Sequence, residues 1–131
     1  KKLKNFLTKR RKIALKYKNA FRKKLPEIVV PKCAKDITHG YHLYPVLVDF
    51  DNYAIDKVTF FKNMYKVGIN LQVHYIPLHF QPFYIKNYGY RKGDFAFAEE
   101  FYKKEVSLPI FPGLTNKELS FVVDSINKFL V

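Results

Sequence analysis

Gly68-Ile69-Asn70-Leu71-Gln72-Val73-His74-Tyr75-Ile76-Pro77-Leu78-His79 is the stretch on which the reading of the chain turns. Gly68 closes a helical pattern, and Ile69, Leu71 and Val73 then alternate with Asn70 and Gln72. A period of two is that of a half-buried strand. The strand delivers His74 and Tyr75 to its end, and Pro77 stops regular pairing. Polar side chains held where a strand becomes a loop are well placed for binding or chemistry.

Upstream, the spacing predicts a helix over 57–66, with Asp56 as its N-cap, Ile55 and Phe60 as a hydrophobic staple and Gly68 just past its end. Tyr41 to Phe50 is the longest apolar run, and its β-branched and aromatic content predicts a strand. Pro45 within it implies a sheet edge or a bulge. Ile28-Val29-Val30 is a short extended piece. Downstream, the stretch FQPFYIKNYGY implies a short helix or turn near 81–87, and 95–104 a further helix with Phe97, Ala98 and Phe101 on one face. Val106-Ser107-Leu108-Pro109 reads as a third short strand. Thr115-Asn116-Lys117-Glu118 matches the S/T-x-x-E capping box, and Leu119, Val122, Val123, Ile126, Phe129 and Leu130 follow at helical spacing. Three short strands separated by helices predict an α+β fold, a small sheet of antiparallel type covered by helices.

The basicity is local. The 131 residues carry a formal net charge of +13. Residues 1–24 hold twelve Lys or Arg and no Asp or Glu, while residues 25–131 set the other twelve against eleven acidic residues. Leu3, Leu7, Ala14, Tyr17 and Phe21 recur through the basic segment at helical steps, so 2–23 reads as a long amphipathic helix ended by Leu25-Pro26. Two units follow from this division, an interdomain helix over 1–24 and a small α+β domain over 25–131. The chain opens inside the helical pattern without an initiator Met. A start further upstream is therefore expected, with the apolar stripe of the helix packed on a domain that is not here.

A content of 48% hydrophobic and 18% aromatic residues excludes general disorder. The single cysteine, Cys33, leaves no internal disulfide. No apolar run approaches the roughly 20 residues of a membrane span, and no secretion signal is expected, so the expected compartment is the cytoplasm. His39, His42, His74 and His79 are the histidines, and none stands in a recognisable zinc spacing, so no metal site is expected. No Gly-x-Ser-x-Gly, Walker loop or G-x-G-x-x-G occurs. Glu99 and Glu100 read as solvated charge on a helix, and Cys33 as an unreactive loop thiol beside Lys32 and Lys35. A basic helix carrying aromatics also fits a nucleic-acid-binding or oligomerisation module. The near-neutral balance of residues 25–131 argues against a nucleic-acid partner.

The run Gly68-Ile69-x-x-x-Val73-His74-Tyr75-Ile76-Pro77-x-His79-x-Gln81-Pro82-x-Tyr84 resembles the C-terminal domain of the DegT/StrS sugar aminotransferases. So do Tyr41-His42-Leu43-Tyr44-Pro45, Gly89-Tyr90, Ala98-Glu99 and Ser107-Leu108-Pro109-x-Phe111-Pro112-Gly113-Leu114-Thr115. Arg10-Arg11-x-Ile13-Ala14-x-x-Tyr17 is similar to the long helix that joins the two domains of that family. Within it, the likeness is strongest to enzymes that aminate UDP-linked 4-keto-6-deoxy sugars, the pseudaminic acid type. The resemblance implies a fold type I, pyridoxal-phosphate enzyme, a homodimer that moves an amino group from glutamate to a nucleotide-linked keto sugar. It implies that His74, Tyr75 and His79 line the cofactor and substrate pocket. The Schiff-base lysine belongs to the large domain of the family and has no counterpart motif here. The 131 residues alone are therefore expected to be inactive, with no catalytic residue of their own and no bound cofactor.

Overall fold

The structure, a computed structural model, describes residues 2–131. Its elements run α1 (Lys2–Lys24), β1 (Pro45–Leu47), α2 (Lys57–Lys66), α3 (Pro82–Tyr88), α4 (Ala96–Lys104), β2 (Glu105–Ser107) and α5 (Asn116–Leu130), with single 3-10 turns at Phe50–Asn52 and Leu78–Phe80. The α+β class stands, with helices arranged about a very small antiparallel sheet.

The sheet is smaller than the alternation implied. β1 and β2 pair antiparallel with Val46 opposite Val106. Single bridges extend the pair on both sides, Val29 to Leu47 and Gln72 to Ser107. The expected third strand over 69–73 is thus an extended segment that pairs only at Gln72. Ile69 and Leu71 are buried as the alternation required, but one bridge satisfies the segment before it turns away. The Tyr41–Phe50 run likewise contributes three residues of strand and then a 3-10 turn.

Pro45 explains part of this. Tyr44 O and Val48 N bond the β2 side, at Leu108 N and Lys104 O, whereas Leu47 bonds Val29 in both directions. Pro45 therefore turns its nitrogen, which has no hydrogen, to the side where pairing does not continue past Leu47.

Helix ends follow the residues. Asp56 accepts from the Thr59 amide as the N-cap of α2, and Gly68 takes φ +82° just beyond its end, the left-handed region that glycine enters without penalty. The capping box at α5 is complete, with Glu118 N donating to Thr115 Oγ1 and Thr115 N donating to a Glu118 carboxylate oxygen.

One core joins all layers: Tyr44, Val46 and Val48 from β1 and its flanks, Phe60 and Met64 from α2, Val106 and Leu108 from β2, and Leu119, Val122, Val123, Ile126 and Leu130 from α5. The basic helix belongs to that core through its second half. Ile13, Ala14, Tyr17 and Phe21 are buried in it, Tyr17 stacks on Tyr44 with centroids 5.1 Å apart, and the Tyr17 hydroxyl donates to Pro109 O at 3.0 Å. The expectation that the whole apolar stripe awaits another domain is corrected here. Only its first turns, with Leu3 and Phe6, are exposed. A 23-residue helix (about 34 Å at 1.5 Å per residue) outruns the body beneath it.

On α4 the three expected residues share one face, and that face is the outer one. Phe97, Ala98 and Phe101 turn to solvent, Phe97 with 96% of its surface exposed. Glu99 and Tyr102 turn inward instead.

Candidate functional site

The segment after Gln72 is held by β2 at two successive points. Gln72 and Ser107 exchange backbone hydrogen bonds of 2.9 and 3.2 Å. Two residues on, the His74 amide donates to Glu105 Oε2 at 3.0 Å. Glu105 Oε1 in turn accepts from the Ser107 hydroxyl at 2.6 Å. Period two places Glu105 and Ser107 on the same side of the strand, so one short strand grips both ends of Gln72-Val73-His74.

The His74 imidazole is half-buried, and its Nδ1 is shut from water with no hydrogen-bond partner. Buried polar atoms are nearly always satisfied, and an orphan calls for an explanation. The ring meets Tyr75 edge-on at 4.7 Å, across a cis peptide bond. Tyr75 itself is 72% exposed. These two predicted site residues are therefore together, one inward and one outward at the same loop.

His79 lies in a different setting, 5% exposed. Its Nε2 shares a 2.9 Å hydrogen bond with Glu99 Oε1, and its ring sits 4.2 Å from Phe80 and 4.8 Å from Phe95. Neither His74 nor Tyr75 is among these partners. The same Glu99 oxygen accepts from the Gly93 amide at 2.7 Å. Glu99 is thus no solvated charge, which corrects the sequence reading. Burial opposes its charged form, but the Gly93 amide and the His79 ring outweigh that and hold the carboxyl below its ordinary range. Glu100 is the surface residue expected, paired with Lys104 at 2.7 Å.

His79 forms part of the floor of a cleft of about 450 Å³ whose walls are Pro77, Leu78, Tyr84, Tyr90, Phe95 and Ala98. Tyr84, Tyr88 and Tyr90 stack in succession at 5.9 and 5.8 Å, so the cleft is walled by rings that brace one another. A largely apolar cleft with one imidazole in its lining suits an organic ligand with few polar handles.

The other histidines do not join. His39 Nδ1 accepts from the Tyr41 amide, and its carbonyl accepts from Arg11 Nε. Among the described residues no three His, Cys, Asp or Glu side chains converge as metal ligands, and no helix is long and apolar enough to cross a membrane. Cys33 is exposed, with its thiol donating to Ile37 O at 3.2 Å.

The residue at this corner that sequence reasoning missed is Glu105. It is completely buried, yet it lay outside every expected motif. The signal was a lone carboxylate at the first position of an apolar strand, where a charge is rarely buried unless something bonds to it.

Comparison with known proteins follows the same outline. Residues 1–127 match the DegT/DnrJ/EryC1/StrS aminotransferase family. An uncharacterized protein of Methanocaldococcus jannaschii is 39% identical over 124 residues, 95% of this chain and 32% of that protein. The UDP-4-amino-4,6-dideoxy-N-acetyl-beta-L-altrosamine transaminase of Campylobacter jejuni is 35% identical over 99% of this chain and 34% of its own length. Among solved structures, Helicobacter pylori PseC, an aminotransferase involved in the biosynthesis of pseudoaminic acid, superposes with a TM-score of 0.83 at 27% identity, over 95% of this chain and 33% of that one. The chain therefore spans about a third of the length of the relatives it matches.

Proposed function

This chain belongs to the DegT/DnrJ/EryC1/StrS aminotransferase family, and from that membership we propose that it is the C-terminal domain of a sugar aminotransferase. The parent enzyme uses pyridoxal phosphate to move an amino group from glutamate to the keto carbon of a nucleotide-linked sugar. It works as a homodimer in the cytoplasm. Residues 25–131 form its small domain, and residues 1–24 are the helix that leads into it.

The observation that carries this reading is the orphan Nδ1 of His74. It lies in the motif that the family resemblance places beside cofactor and substrate. A buried, unpartnered imidazole nitrogen is ready to donate to or accept from a ligand group. His74 is thus the residue that positions the substrate or handles a proton. Exposed Tyr75 lines the path of the nucleotide sugar. His79 holds the wall of the neighbouring cleft through Glu99.

The residues of this chain do not by themselves suit pyridoxal phosphate. A Schiff-base lysine must present a free amine. Lys57, whose amine burial draws below its usual range against the pull of Glu105, commits that amine to Tyr102 O at 2.5 Å and lies over the rings of Phe61 and Tyr102. No lysine of this chain stands in the Schiff-base motif of the family it resembles, so we assign the cofactor chemistry to the part of the parent outside this chain, and this domain contributes a wall.

The test compares the 131-residue chain with the full-length polypeptide encoded around it. Each is supplied with pyridoxal phosphate, glutamate and a UDP-linked 4-keto-6-deoxy sugar, and absorbance and 2-oxoglutarate are followed. The full-length protein should show the cofactor band and turnover, and the short chain neither. Turnover by the short chain, or none by the full-length protein with any nucleotide-linked keto sugar, refutes the proposal.

A further inference from the structure

We propose that Glu105 is the positioning residue of the His74 site: its buried carboxylate grips the His74 amide and thereby sets where the imidazole stands. The inference rests on the reading of His74 as the pocket residue, and it extends that reading to a residue outside the motif.

Three observations converge. First, the contact is direct and local, a 3.0 Å hydrogen bond from His74 N to Glu105 Oε2. That length is an ordinary, direct amide-to-oxygen hydrogen bond. Second, Glu105 is fully buried and forms no direct ion pair. Salt bridges among the described residues tie Lys24, Lys103, Lys104 and His79 to other carboxylates. Lys57, the cation that senses its charge, bonds a carbonyl instead. A buried carboxylate without a contact counter-ion is an expensive way to fill a core position that Leu or Val would fill better. Third, both of its oxygens are used, one on Ser107 and one on His74. Ser107 is the residue that bridges to Gln72. The carboxylate therefore clamps His74 to the same strand that fixes Gln72, and the backbone from 72 to 74 cannot rotate about a single anchor.

The consequence is preorganisation. With the amide fixed, the His74 side chain leaves its backbone in one direction, and its Nδ1 stays in a dry place without a protein partner. Removing the clamp frees the loop to turn that nitrogen to water or to a backbone group, which satisfies it in the wrong position.

The test uses the 131-residue chain, and it reads the position of His74, not turnover. Its failure is therefore distinct from failure of the aminotransferase reading. Amide hydrogen exchange and histidine ring NMR are recorded for the wild type, Glu105→Leu, Glu105→Gln and Ser107→Ala. Leu keeps the volume and removes the acceptor. Gln keeps an acceptor, because its oxygen can face the His74 amide while its NH2 group donates to the Ser107 hydroxyl. Ser107→Ala leaves the bond to His74 in place. The expected result for Glu105→Leu is exchange at His74 accelerated at least tenfold relative to the α5 core, with loss of the Tyr75 ring-current shift on the imidazole. Glu105→Gln should restore the ring shift and bring exchange to within about threefold of wild type, and Ser107→Ala should change His74 little. If Glu105→Leu does not fold, Glu105→Met, of similar shape and without the acceptor, takes its place with the same expected acceleration, centred on residues 73–75. Unchanged exchange at His74 in the acceptor-free variant that folds, or a uniform acceleration across the core, overturns the clamp.

Discussion

Replacing Tyr17 by Ala separates two views of the basic helix, an arm lying on the domain or a part of its core. Tyr17 is fully buried, stacks on Tyr44 at 5.1 Å and Phe21 at 6.1 Å, and donates its hydroxyl to Pro109 O at 3.0 Å. Burial first, and then the neighbouring Tyr44, push that hydroxyl far above the usual tyrosine range, as befits a phenol that stays protonated and bonded. Truncating a buried aromatic to Ala costs about 3–5 kcal/mol. Here the change also strips the Pro109 carbonyl of its donor, a loss of about 1–3 kcal/mol by itself, so the upper part of the first range is expected. Tyr17→Phe isolates the second part. Chemical unfolding followed by far-UV circular dichroism measures both. With a urea m value of about 2 kcal/mol per molar, Tyr17→Ala should lower the midpoint by about 2 M and Tyr17→Phe by about 0.5–1 M, without a change in m. A midpoint within about 0.5 M of wild type for Tyr17→Ala would mean that α1 is dispensable to the core, and the packing argument would be wrong.

Four further outcomes follow from particular contacts. Because the Glu99 carboxyl sits below its ordinary value of 4.5 in the folded chain, its contribution to stability is complete above that value and disappears as pH falls through the lower folded value; Glu99→Gln should flatten that part of an acid unfolding curve, and an unchanged curve refutes the Gly93–Glu99–His79 linkage. Thr115→Ala removes the N-cap of α5 and should lower stability by about 1 kcal/mol in urea titration. Asp124→Ala breaks the ion pair with Lys24, whose two side chains are half-exposed, and should shift stability by no more than about 0.5 kcal/mol, less in 0.5 M salt. For the rival nucleic-acid reading, duplex DNA binding followed by fluorescence anisotropy should be weak and vanish by about 0.2 M salt, as expected for counterion release alone; tight binding that survives that salt would favour the binding module.

Helices were legible wherever their signals were local. Asp56 and Thr115 cap with their own side chains, Gly68 ends a turn in a backbone region glycine prefers, and α5 carries its apolar positions in unbroken helical spacing. The strands were less legible because pairing is not local. Alternation over 69–73 buried Ile69 and Leu71 as it should, but it is silent on how many partners the segment finds, and it found one. The exposure of the apolar face of α4 has the same source. Phe97, Ala98 and Phe101 form the more apolar face, and an isolated helix would turn that face inward. Glu99 reverses the choice because it has a buried imidazole and a loop amide to satisfy, and neither can be seen from the nine residues of the helix.

The candidate site divides along the same line. His74, Tyr75 and His79 were visible because they stand within a few residues of one another after an alternating run. What distinguishes them is not in that run. His79 is closed off by Glu99, twenty residues later, and His74 is held by Glu105, thirty-one residues later. Glu99 stands within α4, and Glu105 opens β2, which follows α4 directly. The sequence therefore displays the groups of the proposed site, while the groups that hold them arrive from a distant segment and look like ordinary charge. A buried carboxylate is a better guide to such a residue than any motif, because burial must be compensated by a bond, and that bond ends on the part being aimed. By that reasoning Glu105 and Glu99 do for this corner what a rigid frame does for a hinge pin: His74 keeps an open nitrogen because its backbone is tied, and His79 keeps the wall because its ring is tied.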